Sequence, residues 1–270
     1  MIKLISCDID GTLLKKGETK LGKEVADALT RLFDEGRHIA LASGRSYYSM
    51  RKVSESLPFA DDVYYICAHG ALCIYRGKVL YHKQISIENV LKLARAPIYE
   101  GDPIVYYSDK FSYVLAGNTE FLAKLERENV DRLVPIENVY EIKEPIYRIG
   151  VYGTEKKPPA LAPLPFDIRV CYNEDNWIEY ITRYADKGAA LSDLQMRLYL
   201  SKLDTAALGD GENDLGMFDK AKYTFAARDG DKALCEKAGE VFAEAEDVLK
   251  SIAEGARSSE ELGVRSEELR

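Results

Sequence analysis

The chain opens with a short apolar run, residues 2–7, that stops at Asp8. Similar runs recur at 38–42, 64–68, 206–209 and 223–226. They are near-continuous rather than alternating and too short for helices, which predicts strands buried on both faces. Between the first two, residues 22–36 carry Val25, Ala28, Leu29, Leu32 and Phe33 at helical spacing, with Gly36 placed to end the helix. A second helix follows Ser43-Gly44-Arg45 and runs to about residue 57, and another starts near Asn213. Buried strands alternating with amphipathic helices predict an α/β fold: a parallel sheet covered on both sides.

From about residue 84 the texture changes. Residues 85–96 and 118–129 read as amphipathic helices, and 104–107, 113–115 and 147–152 as half-exposed strands. Lys156-Lys157-Pro158-Pro159 through Pro165 reads as a surface connection. Around Lys187 the buried α/β pattern resumes. The expected organisation is therefore a core made of residues 1–83 and 184–270, with a mixed α+β module, 84–183, inserted into it. The related stretches Arg-Ser-Ser-Glu-Glu-Leu and Arg-Ser-Glu-Glu-Leu after residue 256 read as a solvated helical or frayed end, not a repeat domain.

At 270 residues and 46% apolar content the chain can bury a proper core. With 37 Lys and Arg against 45 Asp and Glu its net charge is −8, which argues against nucleic acid or an anionic membrane as partner. No apolar run approaches the roughly 20 residues of a membrane span. The first residues enter a strand without a signal-peptide layout. Five cysteines, an odd number with no CxxC pair, suit a reducing compartment better than a disulfide scaffold. A soluble cytoplasmic protein, monomeric or weakly dimeric, is expected.

In an open parallel sheet, reactive groups sit beyond the carboxyl ends of the strands. Here those ends carry Asp8-Ile9-Asp10-Gly11-Thr12, Ser43-Gly44-Arg45, His69-Gly70 and Asp210-Gly211-Glu212-Asn213-Asp214. The first and last groups bring up to four carboxylates to one crevice, where they would raise one another's pKa values. A hard divalent cation relieves that repulsion, and Mg2+ suits a few carboxylates plus a phosphate oxygen. Ser43 and Lys187 are a hydroxyl and a cation of the type needed to hold phosphate. Two residues along an extended chain return a side chain to the same side about 6.5–7 Å away. That spacing lets Asp8 and Asp10 flank a phosphoryl group as nucleophile and acid/base partner. The competing reading is an ordinary Asp-Gly turn after a strand.

Taken together, these segments resemble the haloacid dehalogenase-like hydrolase superfamily, in its Cof-type sugar phosphatase branch. Asp8-Ile9-Asp10-Gly11-Thr12-Leu13-Leu14 resembles its first motif, Ser43-Gly44-Arg45 its second, Lys187-Gly188-Ala189-Ala190-Leu191 its third and Gly209 through Met217 its fourth. The resemblance implies a Rossmann-like core with an α+β cap of the C2 type, here 84–183, and a Mg2+-dependent phosphatase acting on small phosphorylated metabolites through an aspartyl-phosphate. It implies Asp8 as nucleophile and Asp10 as general acid and base. Ser43 and Lys187 would hold the phosphoryl oxygens with the backbone N–H groups of Ile9 and Gly44, and Asn213 would assist. Arg45 and His69 would lie on the substrate side. Asp8, the Asp10 carbonyl, Asp210 and Asp214 would hold the metal.

Two departures bear on substrate choice. His69-Gly70-Ala71 stands where the branch has Asn-Gly-Ala, and Ala227-Arg228-Asp229-Gly230 replaces a Gly-Asn-Ala turn. His69 is either a leaving-group contact or a histidine held at a strand end. A phosphotransferase or mutase using the same intermediate, and a non-catalytic phosphometabolite-binding protein, are the rival readings. A P-loop look-alike at Gly17-x4-Gly22-Lys23 fails because Glu24 replaces the metal-binding hydroxyl. An EF-hand look-alike at Asp210 fails because Leu215 replaces the required glycine. His38, His82 and Trp177 read as structural, and Tyr106, Tyr107 and Tyr113 as sheet packing.

Overall fold

Every residue of β1 (Leu4–Asp8) is buried, because the strand lies mid-sheet with helices on both faces. The computed structural model describes residues 1–15, 17–96, 103–115, 132–153, 163–174 and 177–255. β1 pairs in parallel with β2 (His38–Ala42) on one side and β12 (Thr205–Gly209) on the other. Beyond them lie β3 (Tyr64–Cys67), β13 (Tyr223–Ala227) and β14 (Glu240–Phe242), also parallel. A hairpin of β4 (Leu72–Tyr75) and β5 (Lys78–His82), joined through Arg76 and Gly77, adds two antiparallel strands at one edge. The order is β14-β13-β12-β1-β2-β3-β4-β5.

Strand parity sends alternate side chains to two separate cores. Ile5 and Cys7 pack with Leu29 and Leu32 of the helix Lys23–Asp34 and with Leu249 of the helix Ala245–Ala253. Leu4, on the opposite face, packs with Ala190, Leu191 and Leu194 of the helix Lys187–Arg197 and with Met217. Ser6 shares that face and donates to Met217 Sδ at 3.3 Å. Asp8 continues the series Leu4, Ser6, Asp8, so it emerges beside the helix that begins at Lys187.

A second sheet, ordered β10-β11-β9-β6-β7-β8, lies within the segment expected to be inserted. Its strands are β6 (Ile104–Tyr107), β7 (Ser112–Leu115), β8 (Leu133–Ile136), β9 (Arg148–Tyr152), β10 (Ile168–Glu174) and β11 (Trp177–Thr182). Tyr106, Ile149, Ile178 and Tyr180 share one face with Val90 and Leu93 of the helix Ile87–Ala94, whose first turn is capped by Ser86. The other face carries Tyr107, Arg148, Tyr152, Trp177 and Glu179. Trp177 is buried with Val105, Tyr107 and Val114, matching its structural reading. The helix expected at 118–129, most of the 156–165 connection and the tail after 256 lie outside the described residues.

Candidate active site

The helix Lys187–Arg197 starts at the carboxyl end of β1, with the Asp186 carboxylate accepting from the Ala189 N–H as cap. A lysine at a helix N-terminus opposes the dipole, and two carboxylates offset that cost. Lys187 Nζ donates to Asp8 Oδ1 at 2.5 Å and to Asp214 Oδ1 at 2.7 Å. All three side chains are buried. Burial works against the ammonium, yet Asp8 and Asp214 outweigh it and hold the Lys187 pKa above its ordinary value. Asp214 is itself fixed: its Oδ2 accepts from the N–H groups of Asp210 and Gly211, both at 3.1 Å.

Asp210 completes an acidic cluster in which oxygens of Asp8, Asp210 and Asp214 lie within 4.8 Å of one another. Asp8 is pushed well above the usual carboxylate range, first by burial and then by Asp214 and Asp210, against the pull of Lys187. Asp210 is raised by burial and by Asp214. Room for Asp210 comes from Gly11: its φ is +85°, and a Cβ there would stand 2.1 Å from Asp210 Oδ2. Thr12 Oγ1 donates to Asp210 Oδ1 at 3.4 Å.

The cluster fits a hard divalent cation on two grounds. Three carboxylates face one ammonium, leaving two formal negative charges when all are ionised. Asp8 Oδ2 is also buried without a hydrogen-bond partner, and an orphaned carboxylate oxygen in an all-oxygen donor set suits Mg2+.

Not every expected residue joins this cluster. Asp10 is exposed and engaged elsewhere: Arg45 Nη2 donates to its Oδ1 at 2.6 Å and Arg45 Nε to its Oδ2 at 2.8 Å, in a bidentate pair. Ser43 Oγ donates to the same Oδ2 at 3.2 Å. Three of the four expected carboxylates thus form the nest, while the Asp10 carboxyl stands beside it with Ser43 and Arg45. Ile9 is buried, its carbonyl accepting from Leu13 and Leu14 N–H, and Asn213 is exposed on the turn before Asp214. The Gly44 carbonyl accepts from Arg148 Nη1 of the second sheet at 2.9 Å.

His69 sits at φ +56°, a left-handed position that histidine adopts more readily than most side chains. Its N–H donates to the Ser43 carbonyl at 3.1 Å. Its ring lies 2.5 Å from where a Gly44 Cβ would stand, so only glycine fits there. Its Nε2 is 3.6 Å from Glu179 Oε2, and Arg148 Nη1 is 2.9 Å from Glu179 Oε1. Arg148 and Glu179 were not singled out by the sequence. They lie on pleated strands as isolated charges, and only tertiary pairing marks them out.

A sequence model of the haloacid dehalogenase-like hydrolases matches residues 5–254, and the chain belongs to that family. Among curated relatives it is similar to 5-amino-6-(5-phospho-D-ribitylamino)uracil phosphatase YbjI of Escherichia coli, at 23% identity over 86% of this chain and 88% of that protein. It is also similar to the HMP-PP phosphatase of Yersinia pseudotuberculosis, at 25% identity over 82% and 81%. Among solved structures, TM0651 from Thermotoga maritima superimposes with a TM-score of 0.80 at 21% identity, covering 96% of this chain and 98% of that one. A haloacid dehalogenase-like hydrolase from Bacteroides thetaiotaomicron gives 0.79 at 19%, covering 93% and 100%. Within the family the chain is a phosphatase, a phosphoric monoester hydrolase.

Proposed function

We propose that the chain is a Mg2+-dependent phosphatase of small phosphorylated metabolites, of the sugar phosphate class, working through an aspartyl-phosphate at Asp8. The observation that carries this is the convergence of Asp8, Asp210 and Asp214 on the buried Lys187, with one Asp8 oxygen left unpaired. Asp8, Asp210 and Asp214, with the Asp10 carbonyl, would hold the metal, which when bound supplies charge neutralisation for the phosphoryl group.

Asp8 attacks phosphorus as the ester P–O bond breaks, and Asp10 gives a proton to the departing oxygen. Asp10 then takes a proton from the water that displaces the phosphoryl group, freeing phosphate and restoring Asp8. Ser43, Lys187, Asn213 and the N–H groups of Ile9 and Gly44 position the phosphoryl oxygens, and Arg45 holds the Asp10 carboxyl at the crevice. The inserted module, 84–183, serves as a cap that covers the crevice and excludes water.

Release of inorganic phosphate from p-nitrophenyl phosphate, with Mg2+ and with excess chelator, tests the reading. Metal-dependent release by the wild type that disappears in Asp8→Asn is the expected result. Turnover retained in a folded Asp8→Asn protein would overturn it. A panel of phosphorylated sugars, with and without an acceptor sugar, separates hydrolysis from phosphoryl transfer.

A further inference from the structure

Outside the carboxylate nest, a second group of metal-ligating side chains converges among the described residues. His69, Cys171 and Glu179 each place a ligating atom within 4.8 Å of those of the other two. They come from three elements: His69 from the turn after β3, Cys171 from β10 and Glu179 from β11. Cys171 stands at a β-bulge. Val170 pairs with Tyr180 and Tyr172 with Glu179, which leaves Cys171 as the extra residue between the two pairs. A bulge re-aims the side chain it carries, and Cys171 Sγ donates to the Glu179 carbonyl at 3.5 Å.

The imidazole is poorly partnered for a side chain only 11% exposed. Its Nδ1 is buried without a hydrogen-bond partner. Its Nε2 stands 3.6 Å from Glu179 Oε2, longer than a hydrogen bond. Burial is the main cause holding the ring below its ordinary 6.5, so near neutrality it is uncharged and offers a lone pair.

The donor types select the ion. Arg148 Nη1 lies 2.9 and 3.1 Å from the two Glu179 oxygens and already offsets that carboxylate's charge, so a hard cation such as Mg2+ would gain little. An ion that also takes imidazole and thiolate gains two strong bonds and a second negative charge. Burial and Glu179 push the Cys171 thiol up. Its S–H bond therefore breaks as the metal–sulfur bond forms, and the proton leaves to solvent.

We propose that His69, Cys171 and Glu179 form a site for a thiophilic divalent cation of the Zn2+ class, which when filled ties the inserted module to the core. The effect on turnover rests on the phosphatase reading, because a module fixed to the core cannot open for product release. The site itself does not rest on it.

Co2+ is the first probe, added to the full chain with Mg2+ in excess to occupy the carboxylate nest. The wild type should develop a thiolate-to-cobalt charge-transfer band in the near ultraviolet, which an all-oxygen nest cannot give. Cys171→Ser should lose the band, and Cys235→Ser, whose native thiol donates to the Ala227 carbonyl, should keep it. Calorimetric titration with Zn2+ should show binding weakened about tenfold or more in Cys171→Ser and in His69→Asn. No band in the folded wild type, or a band that survives Cys171→Ser, would overturn the site. Zn2+ should also inhibit phosphate release from p-nitrophenyl phosphate at about tenfold lower concentration in the wild type than in Cys171→Ser, and equal inhibition would overturn the tie between module and core. A wild type without phosphatase activity would instead overturn the phosphatase reading, and the cobalt band would still decide the site.

Discussion

Lys187 donates to Asp8 at 2.5 Å across 179 positions of sequence, and it reaches Asp214 with the same nitrogen. One buried ammonium thus joins the end of the first strand to the loop after β12. Two buried carboxylates are tolerated there because the lysine stands between them, since an unpaired buried charge is costly to keep.

Removing that cation exposes the cost. Lys187→Met keeps the volume and leaves Asp8 and Asp214 unpaired, and should lower stability by roughly 3–5 kcal/mol without metal. Urea unfolding near neutrality measures it. Mg2+ should narrow the gap between variant and wild type, because without the ammonium the carboxylates bind the cation more tightly and the variant gains more from mass action. A loss well under about 1 kcal/mol would mean that the lysine does not hold the carboxylates together.

The Asp10 carboxylate stands outside the acidic nest, accepting from Arg45 and Ser43, and in the proposed reaction it has to leave that pairing to carry a proton. Asp10→Asn should cut kcat by about 10²–10⁴. The loss should be larger for an alkyl phosphate than for p-nitrophenyl phosphate, whose leaving oxygen needs less help from an acid. Steady-state kinetics on the two esters checks this, and equal losses would count against a proton transfer to the leaving group.

These residues were legible because each sits where a buried strand runs out. The apolar series ending at Asp8, Ser43 and Asp210 announced both the sheet and its reactive edge. The β4–β5 hairpin was not picked out: Arg76 and Gly77 make a two-residue turn in a stretch, after the strand end at His69-Gly70, to which the sequence reading assigned no element. The second sheet was read as a mixed module, but its β8, β10 and β11 were not picked out. Arg148 and Glu179 were illegible for a physical reason. A charge on a pleated strand normally points to water, and here parity turns that face toward Gly44 and His69 instead. Nothing within a few residues of either position records that burial.

Acid should loosen this second cluster in a defined order. Burial raises the Glu179 pKa, but Arg148 and then His69 outweigh it and leave it below the ordinary 4.5. A depressed carboxylate contributes stability that is full above 4.5 and is lost as pH falls through the folded value. His69 is held below its ordinary 6.5, chiefly by burial, with Arg148 and Lys187 adding to the effect against Glu179. The unfolded chain therefore takes up that proton first, and stability begins to decline once pH drops through 6.5. The stability gap between wild type and Glu179→Gln should be roughly 3–5 kcal/mol near neutrality and should shrink by about pH 3.5. Chemical denaturation at both pH values checks the sign, and a gap that widens in acid would contradict it.

Gly11 and Gly17 offer a matched pair for testing whether Asp210 belongs to a metal site. Both have positive φ, +85° and +93°, but a Cβ at Gly11 would collide with the Asp210 carboxylate while one at Gly17 meets nothing within 4 Å. Each alanine variant should therefore lose about 1–2 kcal/mol from the left-handed backbone alone. Only Gly11→Ala has to displace Asp210, and with it the third carboxylate of the nest. Calorimetric titration should show Mg2+ binding weakened about tenfold or more in Gly11→Ala, equivalent to about 1.4 kcal/mol or more, and unaltered in Gly17→Ala. Equal affinity in the two variants would remove Asp210 from the metal site even if both proteins were equally destabilised.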